Sequence, residues 1–157
     1  MITRIIEFII NLFKKNKNIS IDKVQTEKRY IEKNIMTKCE IEFYNKIKEL
    51  ENEYIIHPQI NLATIVKKIS TDRYANELFR NIDFAIFDKN YNKLLLLIEL
   101  NDKTHNNYKR KDRDLKVKKI CNDINVKLIT FYTKYPNEKN YVINRIKSNI
   151  EESIKKE

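Results

Sequence analysis

The chain has 157 residues, among which there is no glycine and only two cysteines. Without glycine it cannot form the Walker or Rossmann loops that cradle phosphates, because those loops depend on the glycine backbone. The cysteines, Cys39 and Cys121, have no CxxC spacing, which argues against a structural zinc site, and we expect both to be small buried apolar groups. No segment approaches the roughly 18 consecutive apolar residues that span a membrane. The sequence therefore excludes those nucleotide-dependent enzyme classes and predicts a single domain with flanking sequence.

The chain is strongly basic, with a formal net charge of +10 and a pI near 9.5. Such an excess predicts a polyanionic partner, either nucleic acid or an anionic membrane face. Abundant Asn, Lys and Ile also fit an AT-rich coding sequence, so part of the charge has an alternative origin. Because no cleavable signal peptide is evident, we expect a cytoplasmic protein with reduced thiols.

Residues 1–13 place apolar side chains at helical spacing, with Lys14 and Lys15 after them. An apolar helix followed by lysines is typical of peripheral contact with a membrane interface, and equally of a helix docked on the domain or on a second subunit. Residues 16–35 are polar and weakly periodic. We therefore predict an N-terminal amphipathic helix and linker over 1–35 and a globular domain over 36–157.

The pattern from residue 36 onward predicts an α/β domain. Thr37 and Glu40 form a capping box before an apolar stripe, so a helix begins there. Leu94 to Ile98 is a continuous aliphatic run, typical of a central strand covered on both faces. The predicted elements are this first helix, strands over 54–60, 82–87 and 93–100, helices over 62–69 and 108–125, a strand over 126–132, and a last helix beginning at Pro136.

Two carboxylates stand out on neighbouring strands. Asp83 lies near the start of one strand and Glu99 near the end of the next, and residues 88–92 between these strands read as a hairpin turn. Strand parity then brings Asp83 and Glu99 to one edge of the sheet. Paired carboxylates repel unless a cation lies between them, and oxygen ligands suit Mg²⁺ or Mn²⁺. The alternative is that Asp83 is a turn or rim residue and Glu99 pairs with a lysine.

These motifs carry a resemblance. Ile82-Asp83-Phe84, a hairpin and Ile98-Glu99-Leu100, within the order helix, three strands, helix and strand, resemble the PD-(D/E)XK nuclease superfamily. More narrowly, Thr37–Tyr44, Pro58–Ala63, Ile82–Phe84 and Glu99–His105 resemble the domain of unknown function 2726 family, which is grouped by similarity with relatives of very-short-patch repair endonucleases. The resemblance implies a restriction-endonuclease-like core with an added C-terminal helix, and a Mg²⁺ or Mn²⁺ ion held by Asp83, Glu99 and the Leu100 carbonyl.

One position departs from the superfamily pattern, which has a lysine two residues after the glutamate. This chain has Asn101, which cannot deprotonate water, so lysine catalysis at that position is absent. Lys103 is a replacement if the strand continues, or else points to solvent. His105 is the better candidate base, because the related repair endonucleases are understood to use histidine nearby, although a histidine after a strand is often only a surface residue.

Two acidic residues complete the candidates. Glu40 matches the helical glutamate that some superfamily members add to the metal site, but we favour its role in the capping box. Asp102 is a weaker candidate for an extra ligand or for a partner of His105, because by parity it faces away from Glu99.

The segment 103–119 holds eight basic and two acidic residues. On a helix after the candidate metal strand it would follow phosphates without reading sequence, and the alternative is a solvated helix face. The candidate phosphate contacts are Lys109, Arg110, Lys111, Arg113 and Lys116. The sequence thus predicts a metal-dependent endonuclease acting on DNA, with RNA as the other substrate class; the alternative is a catalytically silent binding module, with its N-terminal helix at a membrane.

Overall fold

The computed structural model describes Glu7 and residues 29–70, 75–101 and 108–155, with only the backbone for 108–111. The chain divides between Lys33 and Asn34, and every element named in this section belongs to the second part. The predicted N-terminal helix, apart from Glu7, lies outside the described residues. The elements are α1 (Lys38–Ile47), β1 (Ile55–Asn61), α2 (Leu62–Ile65), β2 (Asn81–Phe87), β3 (Leu94–Asn101), α3 (Tyr108–Asp123), β4 (Lys127–Tyr132) and α4 (Lys139–Ile154), with short 3-10 helices at Lys48–Asn52 and Asn76–Leu78.

The four strands form one sheet in the order β1-β2-β3-β4. The first three are antiparallel neighbours, whereas β4 runs parallel to β3 and follows the crossover helix α3. Parallel neighbours need such a crossover because the chain must return to the end of the sheet where the first strand began, which a short turn cannot do. This mixed α/β architecture confirms the predicted class and the predicted order of elements. Within the described ranges, none of the helices is long and apolar enough to cross a membrane.

β3 is the central strand that its aliphatic run predicts. Leu96, Leu97 and Ile98 are fully buried, because β2 and β4 flank the strand and helices cover both faces. Leu96 and Ile98 belong to the core under α1 and α4, which we call the first face, together with Phe43. Leu97 belongs to the core under α3, the second face, together with Cys121. Glu99 follows this buried run directly, so its carboxylate lies at the border of the core.

The regular alternation of side chains breaks at one place in β1 and β2. Ile56 and Ile60 have the same parity, yet Ile56 packs on the first face and Ile60 on the second. Phe84 and Ile82, which pair with Pro58 and Ile60 in β1, show the same change. Between them lies Gln59, whose φ of 52° is in the left-handed region. A left-handed residue turns the strand, so parity counted through this point assigns faces wrongly.

Three local predictions are wrong. The helix predicted over 62–69 ends at Ile65, because Val66 is extended. Pro136 is not the first residue of the last helix, which begins at Lys139 after Glu138. Asn137 has a φ of 46° and its side chain donates to the Tyr132 and Tyr135 carbonyls, so a turn occupies these residues and delays the helix. Cys39 is exposed rather than buried, because burial along α1 starts one turn later, at Phe43; Cys121 is buried as predicted.

Candidate functional site

Asp83 interrupts the buried part of β2, between the fully buried Ile82 and Phe84. Its Oδ2 accepts a hydrogen bond from the Leu100 N–H at 2.6 Å, and its Oδ1 accepts one from the Gln59 side-chain amide at 3.5 Å. Burial raises the pKa of the Asp83 carboxyl, and the negative charge of Glu40 raises it further, while the hydrogen bond from Leu100 acts the other way. This carboxylate is therefore fixed by two hydrogen bonds, while its surroundings disfavour its negative charge.

Glu40 comes to the same place from the first turn of α1. Its N–H donates to Thr37 Oγ1 at 3.3 Å, and its Oε2 accepts the Thr37 N–H at 2.6 Å, which completes the predicted capping box. Its second oxygen, Oε1, accepts from the Gln59 amide at 3.0 Å. A side-chain hydrogen bond between Glu40 and Asp83 also favours the protonated form of Asp83. The cap thus fixes one oxygen of Glu40 and leaves the other facing Asp83.

Gln59 joins these two carboxylates, and it is the residue that sequence reasoning missed. It lies in β1 between Pro58 and Ile60, which pair with Phe84 and Ile82, so it stands opposite Asp83. One amide nitrogen donates to both Glu40 and Asp83, as its two N–H groups allow. A non-glycine residue with φ of 52° is strained by about 1 to 3 kcal/mol, and such strain gathers at functional sites. The available signal was the position of Gln59 inside the segment 58–63.

Glu99 lies on the neighbouring strand at the same end of the sheet. Phe84 pairs with Ile98, and extending that register by one residue sets Asp83 opposite Glu99. On the second face, the pKa of the Cys121 thiol is raised to about 11, chiefly by burial and further by the negative charge of Glu99. Asp83, by contrast, is influenced by the charge of Glu40 in α1. The two carboxylates share an end of the sheet, as predicted, but different helices flank them.

A small cavity of about 170 Å³ opens beside Glu99. Asn101, Asp114, Lys118 and Thr130 are among its lining residues. Asn101, where the superfamily has lysine, ends β3, and its carbonyl accepts the Thr133 N–H at 3.1 Å. Carboxylate, amide and ammonium groups thus meet in one recess at the carboxyl ends of β3 and β4, where α/β proteins commonly bind ligands.

Arg80 is a second residue that the sequence did not single out. Burial lowers the pKa of its guanidinium, and the charge of Arg113 lowers it further, while Asp114, Asp112 and Glu99 act in the opposite direction. Arg80 therefore lies in the field of Glu99 and of the start of α3. Arg80 precedes β2, so it is a basic residue near Glu99 in addition to Lys118 of α3, which lines the same recess.

The remaining predicted residues are distributed as follows. Asp102, Lys103 and His105 lie outside the described residues, as do the side chains of Lys109, Arg110 and Lys111, whose backbone belongs to α3. Arg113 and Lys116 are exposed on that helix, and Lys116 pairs with Asp112 at 2.8 Å. Within the part of the chain that is described, no three Asp, Glu, His or Cys side chains form a metal-ligating group.

Comparison with known proteins gives one family. The family described as Protein of unknown function (DUF2726) matches residues 32–154, which cover the sheet and all the helices named above. Neither the curated proteins nor the solved structures contain a match. The match includes Glu40, Gln59, Asp83 and Glu99. With most of its length inside that match, the chain belongs to the family of proteins of unknown function DUF2726.

Proposed function

We propose that this domain is a divalent-metal-dependent nuclease of the PD-(D/E)XK type that hydrolyses DNA phosphodiester bonds. The observation that carries the proposal is the convergence of Glu40 and Asp83 on Gln59, at the end of the sheet where β3 delivers Glu99. Neighbouring carboxylates repel each other, and a shared proton or a bound cation relieves the repulsion beyond what the Gln59 amide can do. Asp83 is therefore prepared for a cation.

The donor set fits magnesium or manganese. Mg²⁺ is usually held by one or two carboxylates and several waters rather than by a full protein cage. Asp83 and Glu99 would supply carboxylate oxygens and Leu100 its carbonyl, with waters completing the shell and Glu40 remaining in the capping box, so a third acidic or histidine ligand is not required. When bound, such an ion lowers the pKa of water and offsets charge on the scissile phosphate.

The other residues have positioning and binding roles in this proposal. Gln59 and the Leu100 N–H hold the Asp83 carboxylate in place, and the cap at Thr37 holds Glu40. α3 begins shortly after β3, and its exposed Arg113 and Lys116 would contact the DNA backbone, with Lys109, Arg110 and Lys111 alongside. His105 would accept or donate the proton that Asn101 cannot move.

Asn101 favours a second candidate, a nuclease-like module that binds nucleic acid without cleaving it. The same fold and basic helix would then serve binding alone. Calorimetric titration of the purified chain with Mn²⁺ separates the two candidates. Heat of binding that disappears in Asp83→Asn supports the nuclease, whereas no binding at millimolar metal supports the silent module.

Cleavage of DNA by the full chain in Mg²⁺ or Mn²⁺ is the direct test. We expect Asp83→Asn and Glu99→Gln each to lose more than about 100-fold in rate, beyond the loss usual for a supporting residue, while DNA affinity is kept. Asp88→Asn is the matched control, because Asp88 lies in the turn at the other end of β2 and asparagine can still accept the Lys93 N–H. Equal cleavage in the native chain and Asp83→Asn would refute the proposal.

A further inference from the structure

The carboxyl end of β4 opens into a groove that none of the roles above uses. It has a volume of about 600 Å³, within the range of ligand sites in proteins. We call it the tyrosine groove; its walls include Thr130, Tyr132, Tyr135, Tyr141 and Arg145, together with the turn between β4 and α4. Three tyrosines in one recess provide aromatic surface of the kind that flat ligands stack on.

The tyrosines are held at angles that keep their rings available. Tyr132 and Tyr135 meet edge to face, with ring centroids 6.4 Å apart and an interplanar angle of 82°. Tyr141 meets the buried Phe131 in the same manner, at 6.4 Å and 85°. Tyr135 and Tyr141 each keep 55% of their surface exposed. Aromatic contacts thus orient the rings, and Tyr135 and Tyr141 remain partly exposed to solvent.

The groove also carries fixed positive charge. The Arg145 guanidinium lies over the Phe131 ring, 4.5 Å from its centroid, and donates to the Thr130 carbonyl at 3.1 Å. Two contacts hold the guanidinium in place, and a guanidinium has five N–H donors. Lys134 lies 4.7 Å from the centroid of the Tyr135 ring. Among the lining residues Arg145 is basic and Glu138 is acidic, and Lys134 lies beside the Tyr135 ring just outside the wall.

The tyrosine groove adjoins the recess at Glu99, and the two cavities meet at β4. Thr130 and Tyr132 line both cavities, and in the parallel pairing of β3 with β4 they stand beside Glu99 and Asn101. A DNA strand with a phosphate at Glu99 would therefore have a neighbouring nucleotide within reach of the tyrosines. Aromatic rings with flanking cations are the usual combination in sites that bind single-stranded nucleic acid.

We propose that the tyrosine groove binds an unpaired nucleobase next to the scissile phosphate, so that the substrate is single-stranded or locally unpaired DNA. This inference rests on the proposed nuclease function and names its substrate class. In a duplex each base is stacked between its neighbours, so it cannot lie against Tyr135 or Tyr141 unless it leaves the helix. An unpaired base has free faces and enters without that cost.

The absence of tryptophan from the chain gives a direct test. Tyr135→Trp and Tyr141→Trp each introduce a single indole into the groove, and Tyr91→Trp introduces one at the β2–β3 turn as a matched control. Each is made in an Asp83→Asn background to prevent cleavage and is titrated with a short single-stranded oligothymidylate and with a duplex of matching length. We expect the oligothymidylate to quench the two groove indoles but not the control, and the duplex to quench them weakly or not at all.

Affinity provides the second readout. Tyr135→Ala should weaken binding of the single strand by about 5- to 150-fold, the usual effect of one stacking residue, and should change duplex affinity by less than about 2-fold. Binding of the single strand without quenching in either groove variant would overturn the inference, as would equal quenching by duplex and single strand. Quenching with no cleavage by the native chain would support the groove while refuting the nuclease, and cleavage without quenching would do the reverse.

Discussion

The two ends of β2 use aspartate in different ways. At the turn end, Asp88 accepts the Lys93 N–H at 2.9 Å, and its own N–H donates to the Lys93 carbonyl at 3.0 Å, so its partners are all within one turn. At the other end, Asp83 is held by Gln59 of β1 and Leu100 of β3, and faces Glu40 of α1. Asp88 stabilises a hairpin locally. Burial and the charge of Glu40 raise the pKa of Asp83, and carboxylates perturbed in this way cluster at functional sites.

Backbone strain follows the same division. Tyr91, with a φ of 56°, lies in the turn, where left-handed residues are common. Gln59, with a φ of 52°, lies inside a strand, where the conformation is unusual and serves to aim the amide at two carboxylates. Substitutions at both ends of β2 can test whether strain and polar contacts serve function at one end and only folding at the other.

Among the tests of this comparison, the largest effect is expected from the Gln59 amide between Glu40 and Asp83. Gln59→Leu removes both hydrogen bonds at nearly constant size, so the Asp83 carboxylate is no longer held; metal-dependent cleavage should fall about 10- to 100-fold, as for other residues that support a ligand. Asn92→Leu, an exposed turn residue, is the control and should cleave normally. Rates are compared after circular dichroism has shown that both variants fold. Normal cleavage by Gln59→Leu would remove the distinction between the two ends.

Loss of a side chain that accepts a backbone N–H should lower stability both near Asp83 and at the Asp88 turn, but should reduce cleavage only near Asp83. Thr37→Ala removes the acceptor of the Glu40 N–H and should cost about 1 kcal/mol in the free energy of unfolding. Asp88→Ala removes the acceptor of the Lys93 N–H and should cost a similar amount. Denaturant titration measures both. Only Thr37→Ala should also reduce cleavage, and Thr37→Ser should restore it; a loss of cleavage in Asp88→Ala would contradict the comparison.

Relief of the left-handed strain sharpens the contrast. Asparagine tolerates positive φ, so Tyr91→Asn should gain about 0.5 kcal/mol in the free energy of unfolding, less what is lost with the Phe87 contact, and should leave cleavage unchanged. Gln59→Asn relieves the same strain but shortens the side chain that joins Glu40 and Asp83. We expect it to be at least as stable as the native chain and slower in cleavage. Equal activity in both variants would show that the strain at Gln59 has no functional use.

The smallest effect is the pH dependence of stability. Burial raises the pKa of Asp83 in the folded state, so the folded chain binds this proton more tightly than the unfolded chain, and stability falls as pH rises from the unfolded pKa to the folded one. Asp83→Asn removes that penalty: its Tm should equal or exceed the native value at neutral pH by a few degrees at most, and the difference should close in acid. Asp88→Asn is the control.

Magnesium should reverse that order. A bound cation stabilises the folded native chain in proportion to its affinity, whereas Asp83→Asn has lost a ligand and should not respond. Scanning calorimetry of both chains with and without millimolar Mg²⁺ gives the comparison. An identical response in the two chains would argue that Asp83 does not hold the metal.

Much of the fold and part of the site could be predicted because the relevant signals are local. The capping box at Thr37, the aliphatic run of β3 and the turn at 88–92 each depend on neighbouring residues, and each element lies within a few residues of its predicted bounds. The hairpin also brings Asp83 and Glu99 to one end of the sheet. The roles of Pro136 and Cys39 were mispredicted because a turn at Asn137 delays the last helix and because burial along α1 begins only at Phe43.

The sequence by itself determined which strand is central, which elements follow one another and which acidic residues lie at one end of the sheet. Periodicity and turn chemistry depend only on neighbouring residues. Only the tertiary structure decided that Gln59 takes a left-handed conformation and joins Glu40 to Asp83. The same holds for Arg80 near Glu99 and for the tyrosine groove. The physical reason is that these contacts join residues far apart in sequence, so their energies exist only once the sheet and helices have packed.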